Sequence, residues 1–243
     1  MSRPMSSLHI APRFGVTFDF GQTLAELDSA TLERRLAERG YAVSATALDA
    51  ALPEAWRAYN QAIVEGHEGH PWHLLMHVLL RGAGFEQRAL AETVEWLWQE
   101  QPRYNLWRRP IPGMFELVRE LFEAGVPLGI ISNSEGKLSE LAVELDVAQY
   151  FQVIGDSGRF GIPKPKPDIF LYVASELKLA PSQIIHIGDA WAADVEGALN
   201  VGMKAIWFDT QGAPPPTLLA SVRVARGAAD VRTGIQELTK SIL

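Results

Sequence analysis

The chain has no cysteine, which excludes disulfide cross-links and thiolate metal sites and leaves stability to an ordinary hydrophobic core. It has no apolar run approaching the roughly 20 residues a membrane-spanning helix needs. The stretch from Met1 to Arg13 lacks a continuous apolar segment of signal-peptide type. Positive charge is in deficit, with a formal net charge of -7, so a nucleic-acid partner is disfavoured on electrostatic grounds. There are no internal repeats and no low-complexity tracts. These absences lead us to expect a cytoplasmic protein with no membrane and no nucleic-acid partner.

What is present is the composition of a globular protein, 47% hydrophobic and 21% charged over 243 residues, enough for one domain with an insertion. Two textures alternate along it. Near-continuous apolar runs at Phe14–Phe18, Val126–Ser132, Phe151–Ile154, Gln183–Ile187 and Lys204–Phe208 read as strands buried on both faces. Helical patterns lie between them, at Gly113–Ala124, Lys137–Leu145, Pro167–Leu177 and Ala192–Asn200. Gly125 and Gly202 mark helix ends. This alternation predicts a doubly wound, Rossmann-like parallel α/β sheet.

Between Asp28 and Arg109 no strand-like run is read. Apolar residues there recur at helical spacing, as at Leu32 and Leu36, and again at Trp72, Leu75, Met76 and Leu79. We therefore expect an all-helical insertion over 28–109, with 1–27 and 110–243 forming the α/β core. Trp56, Trp72, Trp96, Trp98 and Trp107 are read as the insertion's own core. The tail opens with the loop signal Ala213-Pro214-Pro215-Pro216 and closes with a short helix.

Ligands of a parallel sheet bind at the carboxyl ends of its strands. Asp19 follows the first strand and Ser132-Asn133 the second. Lys164 sits in a proline-rich loop after the third, and Gly188-Asp189, with Asp194, follows the fourth. One carboxylate to attack phosphorus, a hydroxyl, an amide and a lysine to hold developing charge, and further carboxylates for magnesium form a set suited to phosphoryl transfer. Each piece alone has a structural use: a turn carboxylate, a helix cap, a solvated loop lysine. A second Gly-Asp pair, Gly155-Asp156, is read as structural. The specificity lies in the order of all four and in their placement at strand ends.

That ordered set closely resembles the haloacid dehalogenase-like superfamily. Asp19 in Val16-Thr17-Phe18-Asp19 matches the nucleophile of its first motif, and Ser132 the hydroxyl of its second. Lys164 in Lys164-Pro165-Lys166-Pro167-Asp168-Ile169-Phe170 matches the lysine of the third, and Asp189 and Asp194 the acidic metal loop of the fourth. The resemblance implies a phosphatase acting on a small anionic phosphomonoester through an aspartyl phosphate. It implies Mg2+ held by Asp19, the Gly21 carbonyl, Asp189 and Asp194, phosphate contacts from Ser132, Asn133 and Lys164, and a helical cap at 28–109.

The chain departs from that pattern at Gly21, where most phosphatases of the superfamily place a second Asp as general acid and base. The glycine expected next is Gln22. Loss of the acid leaves two other readings: a haloacid-type dehalogenase, which needs no metal carboxylates, and a weakly active phosphate-ester-binding or regulatory protein. The superfamily's phosphonate chemistry uses a cap lysine, and no lysine precedes Lys137. His67, His70, His73 and His77 are candidates for a replacement acid, or else packing and surface residues.

Overall fold

The protein is described by a computed structural model covering residues 14–65, 71–210, 212, 215–217 and 219–242. The expectations for Met1 to Arg13, for His67 and His70, and for Ala213-Pro214 lie outside these residues.

Six parallel strands form the central sheet. They are β1 (Gly15–Phe18), β4 (Leu128–Ser132), β5 (Val153–Asp156), β6 (Ile184–Gly188), β7 (Lys204–Phe208) and β8 (Val222–Ala225), in the order β5-β4-β1-β6-β7-β8. β1 is central: Val16 stands opposite Leu128 of β4 on one side and Ile185 of β6 on the other. An antiparallel ribbon of β2 (Ala25–Leu27) and β3 (Trp107–Pro110) lies apart from the sheet. β3, which begins at Trp107, corrects the expectation that no strand lies between Asp28 and Arg109. β8 adds a strand to the five expected.

Alternate strand residues enter two different cores, because successive side chains of a strand point to opposite faces. Val16, Phe18, Leu128, Ile130, Ile185 and Ile187 pack with helices α5 (Met114–Glu123), α6 (Leu138–Glu144) and α10 (Ala228–Thr239). Ile131, Ile184, Ala205 and Trp207 pack instead with α8 (Pro167–Glu176) and α9 (Gly197–Asn200). A single turn, α7 (Ser157–Phe160), follows β5. Gly125 and Gly202 close their helices at φ 74° and 87°, angles that glycine adopts without steric cost.

Between β2 and β3 run four helices, α1 (Ser29–Glu38), α2 (Ala45–Val64), α3 (Trp72–Gly82) and α4 (Leu90–Glu100). Asp28 caps α1 by accepting from the Ala30 and Thr31 amides, which satisfies donors a first turn leaves open. These helices share a separate core in which Leu32, Leu36, Trp72, Leu75, Met76 and Leu79 are buried.

Candidate active site at the carboxyl edge of the sheet

Three strand ends and one loop meet beside the middle of the sheet. Asp19 continues β1, and its backbone amide donates to the Ile187 carbonyl of β6 at 2.7 Å. Ser132 is the last residue of β4 and is buried. Asp189 follows the last residue of β6. Asp194 lies in a π-helical turn, Trp191–Glu196, a rare widened turn that often marks functional sites. The turn brings the Asp194 carboxylate back over its own start, where it accepts from the Ala190 amide at 2.9 Å.

Lys164 links the groups. Its Nζ donates to Asp19 Oδ1 at 2.6 Å and to Asp194 Oδ1 at 2.5 Å. The lysine loop is held by Asn133, whose Oδ1 accepts from the Lys164 amide at 2.8 Å while its Nδ2 donates to the Lys164 carbonyl at 3.2 Å. Asn133 in this structure therefore positions the lysine. One oxygen from each of Asp19, Asp189 and Asp194 lies within 4.8 Å of the others.

The charges do not balance. Burial pushes Asp19 above its ordinary range, with Lys164 pulling the other way and Asp194 adding repulsion. Burial also raises Asp189 well above the carboxylate range, reinforced by Asp19 and Asp194. Asp194 escapes: burial is outweighed by Lys164 and His186, which hold it at about 2. Burial alone would lower Lys164, but the two aspartates raise it above the usual ammonium range. One lysine thus faces three carboxylates, a donor set of hard oxygens with uncompensated negative charge that suits a divalent cation.

His186, absent from the sequence-based set, supports this cluster from within β6. Its Nε2 lies 3.2 Å from Asp194 Oδ1 and its Nδ1 3.0 Å from Thr17 Oγ1. Burial lowers its pKa, so it acts as a neutral brace. A histidine inside an otherwise apolar strand shows this use only once its neighbours across the sheet are placed. Asp156, by contrast, stays out of the cluster. Its carboxylate accepts from Ser134 Oγ at 2.6 Å and from the Gly136, Leu138 and Gly158 amides at 3.1, 3.0 and 2.9 Å, which is a structural use.

Above the cluster lies a cavity of about 480 Å³ that reaches into the helical segment. Asp19, Gly21, Ser132, Asn133, Lys164, Asp189 and Asp194 open onto it. So do Trp56, Tyr59, Trp72, Trp98 and Trp107. The tryptophans expected as core are thus only partly that: Trp72 is buried in the helical core, yet it and three others also wall the cavity. Trp96 stacks under Arg35 and Arg39 instead. Gln101 and Glu135 complete the far wall and carried no sequence signal beyond helical spacing and a place three residues after Ser132. His73 pairs with Glu95 at the surface, and neither it nor His77 lines the cavity.

A family model described as haloacid dehalogenase-like hydrolase matches residues 15–202. A cattle (Bos taurus) protein named haloacid dehalogenase-like hydrolase domain-containing protein 3 is 28% identical over 173 residues, 68% of each chain. A glyceraldehyde 3-phosphate phosphatase of Methanopyrus kandleri is 26% identical over 193 residues, 79% of this chain and 82% of its own. Among solved structures, a Bacillus subtilis protein described as a HAD-hydrolase and bound to magnesium superposes with a TM-score of 0.71. It is 21% identical, and the match covers 91% of this chain and 98% of that one.

Proposed function

The chain belongs to the haloacid dehalogenase-like hydrolases, and from that premise we propose that it is a magnesium-dependent phosphatase of a small phosphomonoester with Asp19 as nucleophile. The observation that carries the reading is Lys164 bridging Asp19 and Asp194 beside a third carboxylate, Asp189. Residues 28–109 are assigned as the cap domain, and 1–27 with 110–243 as the catalytic core.

In this reading Asp19, Asp189, Asp194 and the Gly21 carbonyl would hold Mg2+, which when bound would lower the repulsion between the nucleophile and the phosphate oxygens. An Asp19 oxygen attacks phosphorus as the bond to the leaving oxygen breaks. Lys164 and Ser132 hold the phosphoryl oxygens where charge develops, and Asn133 keeps the lysine in place. Water then attacks phosphorus, releases inorganic phosphate and regenerates Asp19. The cap walls exclude bulk water and contact the leaving group.

Release of phosphate and of halide from a substrate panel, with and without Mg2+, tests the assignment. Phosphate release that requires Mg2+ is expected. Halide release from a 2-haloacid without metal would replace the phosphatase reading with dehalogenation. Ester binding without either product would replace it with a binding role.

A further inference from the structure

The walls of the cavity specify a leaving group. Six aromatic residues line it, Phe20 and five that are edge-on or tilted neighbours: Trp56 lies 5.2 Å from Tyr59 and 6.4 Å from Trp107, and Trp72 lies 5.2 Å from Trp98, centroid to centroid. Such walls bind planar rings by stacking and edge contacts.

Charge narrows the choice further. Among the described residues lining the cavity, Lys164 is the one cation, and it is committed to Asp19 and Asp194. Among those residues a second phosphate or a carboxylate on the substrate would find no free counter-charge and would face Glu135. Beside the nucleophile, Gly21 offers no proton, and the indole of Trp107 takes the room a side chain there would need, with Cδ1 3.2 Å from an added β-carbon.

We propose that the substrate is an aryl phosphomonoester, whose leaving group is an uncharged phenol-type ring. The inference rests on the phosphatase reading above. In the first step the bond from Asp19 to phosphorus forms as the phosphorus–aryloxy bond breaks. The aryloxide leaves with the electron pair of that bond and takes a proton from water, so no acid at position 21 is needed. An alkoxide, far more basic, would need one.

The experiment compares kcat/KM in Mg2+ for phenyl phosphate, 4-carboxyphenyl phosphate and glycerol phosphate, with wild type and Trp98→Leu. Phenyl phosphate should exceed glycerol phosphate by about 10² or more. The carboxylated ring should be the poorer aryl ester. The substitution should lower the phenyl-to-glycerol ratio, a ratio within one variant that does not depend on how much of it folds. The wild-type series stands by itself if a variant fails to fold. Glycerol phosphate turned over as well as phenyl phosphate would overturn the inference while leaving the phosphatase reading intact. So would alkyl-ester turnover that Glu135→Gln selectively slows, since Glu135 would then be the acid. Phosphate release from no ester would defeat the phosphatase reading itself, and the inference with it.

Discussion

The indole of Trp107 stands against Gly21: a β-carbon on that glycine would lie 3.2 Å from Trp107 Cδ1 and 3.3 Å from Nε1. A carboxylate at position 21 and the aromatic wall would thus compete for one space. The backbone is not the obstacle, because Gly21 is not among the glycines with positive φ. Gly21→Asp alone should therefore gain little on glycerol phosphate. Gly21→Asp combined with Trp107→Ala should gain about tenfold or more over it, while losing affinity for phenyl phosphate. Steady-state kinetics on both esters decides this. No gain in the double variant, with the new carboxylate seen beside Asp19 in a crystal structure, would mean that protonation is not what limits alkyl esters.

Gln22 carries the backbone strain that Gly21 does not. Its φ is 59°, in the left-handed region that costs a residue with a β-carbon about 1–2 kcal/mol. Gln22→Gly should stabilise the protein by roughly 0.5–1 kcal/mol after glycine's extra unfolded-state entropy is subtracted. Urea denaturation reads this directly, and an unchanged or lower midpoint would show that the turn is relaxed with glutamine in place.

The two Gly-Asp pairs should respond in opposite ways. Asp189 is a half-buried carboxylate raised by desolvation and then by Asp19 and Asp194, so Asp189→Asn should raise the melting temperature without metal and abolish the further rise that Mg2+ gives by binding the folded state. Asp156 accepts four hydrogen bonds, so Asp156→Ala should cost about 2–4 kcal/mol by orphaning buried donors. Thermal melts with and without Mg2+ separate these, and equal Mg2+ responses in wild type and Asp189→Asn would remove Asp189 from the metal site.

Glu135 gives the fold a pH dependence. Burial raises its carboxyl from 4.5 to about 7, against the hydrogen bond from Asn105. The folded state therefore holds this proton more tightly than the unfolded chain does, and stability falls as pH rises from about 4.5 to about 7. Glu135→Gln keeps an acceptor for Asn105 without the charge. It should match wild type at pH 4 and be more stable above pH 7, as read by denaturation at both values. A constant difference across that range would place the titration elsewhere.

The sheet interior was legible because strands buried on both faces are almost wholly apolar, as in Leu128–Ser132 and Ile184–Gly188. Edge positions were not. β8 is Val222-Arg223-Val224-Ala225, with a half-buried and an exposed position in its middle, and β3 carries Arg108 and Arg109, which pair outward with Glu144 and Glu26. Neither looks like a strand without its partner. The ordered residues Asp19, Ser132, Lys164, Asp189 and Asp194 were readable because each sits at a fixed offset from a strand end. The roles of Tyr59, Gln101, Glu135 and His186 depend on which face of an element meets the cavity or the cluster, and helical spacing does not say which. Nor does spacing distinguish the tryptophans that wall the cavity from Trp96, which does not.

The most direct test of the central claim is to quench wild-type protein with phenyl phosphate and Mg2+ in acid during turnover, digest it, and weigh the peptide that contains Asp19. The account predicts a phosphoryl group on that peptide, located to Asp19 by fragmentation, and none on the same peptide from Asp19→Asn, which should also release no phosphate. Phosphate released at the wild-type rate by Asp19→Asn, with no phosphorylated peptide in either protein, would contradict it.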